Sequence, residues 1–306
     1  MTTPHAPHGS ASDDAGETRR RASLLELAGS LGEPLEPEGI ALRVLDSASE
    51  VLGARHSLVG VMEQDGRSLR LLMTRSYDPA VVAAWPTIPL DADVPAAAAV
   101  RTGRLVVHPS AAARHAQFPG LAASGRPVSA YAASAAVPMM FEGRAVGVVL
   151  LGWDGDRVLG EAEQSYLRML AAQTAQALER ARLLAAVRER DERLQLALAA
   201  SRTWLWEMDI ATERLEWLPE PGPAIGVPAT TGNWLAIIDR ADGLRIRGAY
   251  EDVLRGMAPL DVEVKVDLPI DGEHWFAAYG RAIPDAQGRP VRIVGSARDI
   301  TERKVA

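Results

Sequence analysis

The sequence contains no cysteine, and this absence excludes several chemistries at once. Without thiols the chain forms no disulfides, thiolate-ligated metal sites, cysteine nucleophiles or thioether-linked chromophores. The chain also has no excess of positive charge. Its 33 basic and 40 acidic residues give a net charge of −7. Phosphate binding needs a basic face, so we expect no nucleic-acid partner.

Long hydrophobic runs are absent as well. No apolar stretch approaches the ~18 residues of a membrane span. The arginines at positions 19–21 have no hydrophobic core behind them, as a secretory signal would require. We therefore expect a cytoplasmic protein with no membrane partner, and a disordered tail over residues 1–19.

The length of 306 residues favours two domains over a single core. After the tail, the first half predicts two helices, a hairpin at Asp65-Gly66, an irregular middle with short helices, and a second hairpin at Glu142-Gly143. An Asp-Gly pair between alternating runs is a strong hairpin signal. A helical pattern then continues from Glu161 to about Ser201, which is long for a globular domain.

A second set of strands fills the rest of the chain. Two strands flank a turn at Ala211-Thr212, and a helix is expected over residues 233–257. Three more strands joined by glycine turns form a meander. Strands with helices to one side and few parallel crossovers indicate an α+β fold. We predict two domains, each an antiparallel β-sheet with helices packed on it, joined by a long helix.

The hairpin AVPMMFEGRAVGVVLLGW and the helix GEAEQSYLRMLAAQTAQALERARL that follows it resemble the end of a GAF domain. With the order of elements before them, they place a GAF-like sensory domain at residues 20–184. A connecting signalling helix follows at 185–201.

The paired aromatic strands WLWEMDIATERLEW and the ending RPVRIVGSARDITERK resemble a PAS domain. The resemblance runs over residues 188–303, and we place the PAS-like domain at 202–306, with the D-I-T exit motif at its end. Both families are sensory input modules of bacterial signalling proteins. The resemblance implies a downstream histidine kinase, phosphatase, diguanylate cyclase or transcription regulator as partner.

Signatures of those outputs are absent from the sequence. It has no phosphoacceptor histidine helix, GGDEF-like turn, EAL motif or G-x-x-x-x-G-K-[ST] loop, so we expect no catalytic residues. Without cysteine, the covalent bilin, cysteinyl-flavin and thiol-dependent methionine sulfoxide reductase branches are excluded, and the cyclic-nucleotide signature is not found. The alternatives are the truncated input half of a signalling enzyme and a ligand-free interaction scaffold.

Three patterns are weak candidates for metal or haem. His108 and His115 lie seven residues apart near Asp91 and Asp93, but surface histidines are the favoured interpretation. The WDGDR segment at 153–157 lacks the later oxygen ligands of a calcium loop and is favoured as a turn. His274 is the one histidine of the PAS-like half, on a strand where a haem ligand is not expected. We predict no metal and no haem.

Aromatic residues are the candidate ligand contacts. In the PAS-like half the candidates are Trp204, Trp206, Trp234 and Trp275. In the GAF-like half they are Trp85, His108, Phe118 and Tyr131, between the sheet and the irregular middle. Aromatic walls with a few polar groups are typical of small-molecule pockets. Core packing explains the same residues and is the favoured interpretation.

The long helix has the 3-4 spacing of a coiled-coil seam at Leu167, Leu170, Thr174, Ala177, Ala181 and Leu184. We expect a parallel homodimer along it, and the alternative is that this stripe packs on its own sheet. In GSARDITERK, Asp299 and Glu302 have capping-box spacing. With Thr301 of the D-I-T motif, they are predicted to pass the signal onward.

Overall fold

The computed structural model describes residues 10–32, 35–218, 238, 240–268 and 272–306. The chain divides into two compact units, Met1–Ala186 and Val187–Ala306. Each contains one antiparallel sheet with helices, which confirms the predicted α+β class. Among the described helices, none combines the length and apolar character needed to cross a membrane.

The first unit contains six strands. They are β1 His56–Met62, β2 Ser68–Arg75, β3 Thr87–Pro89, β4 Val106–His108, β5 Ala133–Phe141 and β6 Arg144–Trp153. Their order in the sheet is β3-β2-β1-β6-β5-β4. The helices are α1 Ser10–Ser30, α2 Pro37–Leu52, α3 Pro79–Ala84, α4 Pro95–Thr102, α5 Ala111–Gln117, α6 Pro119–Ala123 and the start of α7 Glu161–Ala200.

Both predicted hairpins are present in this unit. β1 pairs with β2 across the Asp65-Gly66 turn, where Gly66 has φ of +67°. At the second turn Glu142 and Gly143 have φ of +48° and +79°. Two consecutive positive values characterise the type I′ turn, whose twist matches that of paired strands. Local turn chemistry therefore sets the pairing of β5 with β6 next to the turn, and a β-bulge between Met139 and Met140 shifts the register beyond it.

The sheet of the first unit is buried on both faces. Val149 and Leu151 of β6 belong to the core that contains α1, α2 and α7, whereas Val148 and Leu150 belong to the core that contains α4 and β3. Successive strand residues point to opposite faces, so one apolar run supplies both cores. Tyr166 of α7 is fully buried, and its hydroxyl lies 2.9 Å from the Ser47 hydroxyl of α2.

The predicted tail is partly wrong. Residues 10–19 are the first half of α1, and residues 1–9 lie outside the described part of the chain. Glu17 and Arg21 form an exposed i,i+4 ion pair at 2.8 Å, which favours helix. The same helix continues to Leu24 and Leu27, which are buried in the core. The polar composition concealed this extension.

The predicted seam on α7 is also corrected. Its first four members are buried in the core of their own unit: Leu167, Leu170, Thr174 and Ala177. Ala181 packs partly against that core, and Leu184 is exposed. A helix that packs on a sheet and a helix in a coiled coil share the 3-4 spacing, so the spacing did not distinguish them.

The second unit contains five strands after the end of α7. They are β7 Thr203–Asp209, β8 Leu215–Leu218, β9 Leu260–Leu268, β10 Gly272–Pro284 and β11 Pro290–Asp299, in the order β8-β7-β11-β10-β9. The predicted meander is confirmed. Helix α8 spans Arg240–Leu254 and α9 spans Thr301–Val305. Apart from Ile238, the predicted helical residues before Arg240 lie outside the described residues.

Glycines on two strands make room for Trp206 of β7. A Cβ at Gly280 would lie 2.6 Å from the indole ring. At Gly295 it would lie 2.1 Å from the Tyr279 carbonyl oxygen and 2.4 Å from the ring. Neither distance is compatible with an alanine, so β10 and β11 approach Trp206 this closely only because both positions are glycine.

We therefore expect Gly295→Ala to destabilise the second unit by about 2 kcal/mol or more through overpacking. The matched control is Gly248→Ala in α8, where an added Cβ meets nothing within 4 Å. Alanine there should stabilise the helix by about 0.5–1 kcal/mol. Urea unfolding followed by tryptophan fluorescence measures both, and equal effects would contradict the packing argument.

Candidate functional site

A cavity of about 70 Å³ lies on the α4 side of the first sheet. Its wall is largely apolar, formed by Leu58, Leu71, Val81, Ile88, Leu121 and Leu150. Strands β1, β2, β3 and β6, the short helices α3, α4, α5 and α6 and the segment before β5 contribute residues to the lining. Trp85, Arg114, Tyr77, Ser129 and Tyr131 add polar groups to this lining. Apolar walls with a few convergent polar groups are typical of small-molecule sites.

Arg114 of α5 is the charged group of this lining. The residue is only 3% exposed. Its Nη2 donates to the Tyr131 carbonyl oxygen at 2.9 Å, and its Nη1 donates to the Ala132 carbonyl oxygen at 3.2 Å. The guanidinium carbon lies 4.4 Å from the centre of the Tyr131 ring, in the cation–π arrangement. These contacts fix the position of the cation in the wall.

Two tyrosines complete the polar side of the cavity. Their ring centres are 6.3 Å apart, and the Tyr77 hydroxyl is buried without a hydrogen-bond partner among the described residues. Burial raises the pKa of Tyr77 well above its usual value, and the nearby Tyr131 raises it further. Burial also raises the pKa of Tyr131, although Arg114 partly opposes this effect. Both hydroxyls therefore remain protonated and can donate a hydrogen bond.

His56 borders these rings from β1, with its ring centre 5.9 Å from that of Tyr131. Its Nδ1 lies 2.7 Å from the Ser76 carbonyl oxygen, and its Nε2 lies 2.8 Å from Asp154 Oδ1. That hydrogen bond from His56 lowers the pKa of the exposed Asp154. Asp154 of the WDGDR segment also pairs with Arg55 at 3.1 Å. Its carboxylate oxygens are thus engaged by side chains of the same unit.

The structure brings together only part of the predicted GAF-half set. Trp85 and Tyr131 both line the cavity. His108 and Phe118 do not; they contact each other, with ring centres 5.3 Å apart. His108 is 1% exposed, burial lowers its pKa, and its Nε2 lies 3.0 Å from Gln117 Oε1. Its position on β4 puts it in a hydrogen-bonded core pair instead of the cavity wall.

Sequence reasoning missed Arg114 and Tyr77. Arg114 lies in HPSAAARH, where the two histidines drew attention to metal binding, but the structure puts His108 on β4 and His115 on α5. Within the described residues no group of three histidine or acidic side chains is arranged to hold a metal ion. The one available signal was an arginine that directly follows three alanines in a short helix.

The second unit has its own cavity of about 80 Å³, with an almost entirely apolar lining that includes Trp206, Met208, Ile246, Tyr250 and Val262. Of the four predicted tryptophans, Trp206 alone is in this lining among the described residues. Trp204 packs edge-on against Phe276 at 5.9 Å, and Trp275 lies under Lys304, whose Nζ is 4.8 Å from the ring centre. Trp234 lies outside the described residues.

The exit motif is built differently from the predicted capping box. Asp299 Oδ1 accepts from the Thr301 backbone N–H at 2.8 Å, and its Oδ2 is 3.1 Å from His274 Nδ1. Glu302 does not reach back to Asp299; it forms an ion pair with Arg202 at 2.6 Å. The Thr301 hydroxyl accepts from the Trp275 backbone N–H at 2.9 Å. The spacing gave the wrong partner because Arg202, between α7 and β7, engages both groups: its carbonyl oxygen accepts from the Asp299 backbone N–H at 3.0 Å, and its guanidinium pairs with Glu302.

Comparison with known families identifies both units. Residues 34–179 match the GAF domain family, and residues 218–305 match the PAS fold family. The chain therefore carries a GAF domain followed by a PAS-like domain. These are sensory domains typical of signal-transduction proteins, and neither match is to a catalytic domain. No curated protein matches the chain.

Several solved structures are similar to parts of this chain. The GAF domain of the Acinetobacter phosphoenolpyruvate-protein phosphotransferase is 14% identical, over 54% of this chain and 95% of that one, with a TM-score of 0.46. The free methionine-R-sulfoxide reductase of Neisseria meningitidis is 19% identical. The match covers 59% of this chain and 99% of that one, with a TM-score of 0.47. A sensory box histidine kinase/response regulator of Burkholderia thailandensis is 26% identical, over 37% and 88%, with a TM-score of 0.32.

The exit motif generates a pH prediction. Burial alone would raise the pKa of Asp299, but the hydrogen bonds from Thr301 and His274 outweigh it and lower that pKa from the ordinary 3.8. A depressed carboxylate pKa adds stability above the unfolded value, and this stability is lost as pH falls through the folded value. Asp299→Asn should thus cost about 1–3 kcal/mol at neutral pH, with the deficit shrinking in acid below pH 3.8.

Urea unfolding of both proteins across this pH range measures the effect. Asp261→Asn, at an exposed position of β9, is the matched control. A deficit that stays constant down to the lowest pH would show that the carboxylate charge is not the stabilising feature.

Proposed function

We propose that this chain is a sensory and regulatory module of bacterial signal transduction whose GAF cavity binds a small molecule. The observation that carries this proposal is the cavity itself: an apolar wall with a buried cation and an unpartnered hydroxyl at one side. The apolar cavity of the PAS-like domain is the second candidate ligand site.

The long helix α7 is the proposed route of the signal. Its first turns are buried in the core of the GAF domain, and it continues without interruption to Ala200, where β7 of the second unit begins three residues later. A ligand that favours one of two arrangements of the GAF core shifts the population of the helix attached to it. Asp299, Thr301 and Glu302 would pass that change to a downstream kinase, phosphatase, cyclase or transcription regulator.

A parallel homodimer remains part of the proposal, with a different contact surface. Residues 182–197 of α7 are exposed throughout, including Leu183, Val187 and Leu194, which are 53%, 66% and 40% exposed. Their spacing of four and seven residues puts them on one side of the helix. A helix of this kind has little stability in water alone, and a second copy would cover its apolar side.

Ligand binding is tested by closing the mouth of the cavity. Val128 lines the cavity and is 37% exposed, so Val128→Trp should fill it from outside at little cost to folding. We expect small molecules that raise the melting temperature of the full chain to lose that effect in this variant. Ala130→Trp, at an exposed position outside the lining, should retain it. Melting curves against a fragment library measure this.

If no compound distinguishes the two variants, the GAF cavity is not a ligand site. The interaction scaffold would then be the better description of the chain.

The dimer is tested by charge on the exposed side of α7. Leu183→Glu combined with Val187→Glu should lower the association constant at least about tenfold, because four carboxylates would meet in the interface. Leu244→Glu, at an 84% exposed position of α8, is the matched control and should leave association unchanged. Sedimentation equilibrium provides the measurement, and a wild-type chain that stays monomeric would contradict the dimer.

A further inference from the structure

Arg114 is a buried cation without a buried anion beside it. Among the described residues no carboxylate forms an ion pair with it; its protein contacts are two backbone carbonyl oxygens and the face of Tyr131. The same unit pairs its buried acid fully, because Glu179, whose side chain is 6% exposed, contacts both Arg144 and Arg182 at 2.8 Å. Buried charges are normally paired. An anion from outside the chain would therefore stabilise the unpaired guanidinium.

The guanidinium also has N–H groups that donate to no described residue. It carries five N–H groups, and two of them bond to the carbonyl oxygens of Tyr131 and Ala132. The others make no hydrogen bond to a described residue. A guanidinium presents its N–H groups in a planar fork that matches the two oxygens of a carboxylate. Arg114 thus retains the geometry for a carboxylate after its structural bonds are made.

Tyr77 supplies a second, independent indication. Its hydroxyl is buried beside the side chains of Tyr131 and Ser129, but it forms no hydrogen bond of normal geometry to a described residue. Because burial raises its pKa well above the usual value, the group is a donor and not a phenolate. A buried donor left unpaired is unfavourable. An anion in the cavity would satisfy both this hydroxyl and the guanidinium.

The rest of the cavity defines the other end of the ligand. Apart from the polar side, Leu58, Val81, Ile88 and Leu150 present apolar surface. The volume of about 70 Å³ is roughly half that of a 150 Å³ cavity able to hold benzene, so a ligand the size of butyrate would be enclosed in part and would extend toward the exposed Val128 of the lining. Arg114 is the single charged residue in the described lining, which favours one negative charge over two.

We propose that the GAF cavity binds a small organic monoanion, a short-chain carboxylate, with the carboxylate held by Arg114 and Tyr77 and the alkyl end against the apolar wall. This inference rests on the proposed ligand-sensing function and names the chemical class that the site takes. Tyr131 orients the guanidinium through its ring and its carbonyl oxygen. Specificity then comes from charge at one end and from length at the other.

The test compares butyrate with its uncharged isostere, butyramide, by isothermal titration of the full chain at constant ionic strength. Butyrate should bind at least about tenfold more tightly, the effect expected of hydrogen bonds to a charged group. Tyr77→Phe should lose about tenfold in butyrate affinity. Its melting temperature should change little, because the hydroxyl forms no hydrogen bond of normal geometry to a described residue.

Two further variants keep the result interpretable. Arg114→Gln should abolish butyrate binding, and its folding is checked by circular dichroism because Arg114 also holds two carbonyl oxygens. Arg104→Gln, which removes an exposed arginine of the same unit, should change nothing. If Arg114→Gln does not fold, the butyrate affinity of Tyr77→Phe alone decides the result.

Equal affinity for butyrate and butyramide, or unchanged butyrate affinity in Tyr77→Phe, would overturn the carboxylate assignment. Uncharged compounds that bind and are blocked by Val128→Trp, together with no carboxylate binding, would overturn it while the ligand-sensing function stands. No binding of any compound would overturn both.

Discussion

The first sheet is the constraint on which the GAF domain depends, because both of its faces must be covered. Alternate residues of β6 enter two different cores: Val149 and Leu151 face the helices α1, α2 and α7, and Val148 and Leu150 face α4 and the cavity. The cavity and the root of the long helix thus lie on opposite faces of the same strands. If a ligand changed the packing of these strands on the cavity side, the same strands would change their contacts with α7 on the other face.

Several buried or partly buried polar groups of the two units have side-chain partners, although the hydroxyls of Ser49 and Ser57 and the Gln173 Oε1 atom, like the Tyr77 hydroxyl, have none among the described residues. Tyr166 is linked to Ser47, Glu179 has two arginines, and Asp299 receives hydrogen bonds from Thr301 and His274. The GAF cavity differs in one respect, because its buried cation, Arg114, has no anionic partner among the described residues. Departures from local consistency are expected at functional sites, where an external group supplies the missing partner. This contrast is the physical basis for treating the cavity as a binding site.

Local patterns predicted most of the fold because the forces behind them act over few residues. The Asp65-Gly66 and Glu142-Gly143 turns fixed two hairpins through backbone conformation alone, and strand alternation gave the buried face of β9. Where one pattern serves two structures, prediction failed. Leu167 and Leu170 have the spacing of a coiled coil and pack on a sheet, and Glu302 has the spacing of a capping box and pairs with Arg202.

The sequence by itself determined two α+β sensory domains, a long helix between them and the absence of thiol chemistry. Only the tertiary structure decided which side chains meet. Arg114 and Tyr77 belong to different elements far apart in the chain, and their shared burial depends on how α5 and the segment after β2 pack on the sheet. His108 and Phe118, predicted for the same cavity, pack against each other instead. Burial and pairing depend on contacts distant in sequence, which composition and spacing do not encode.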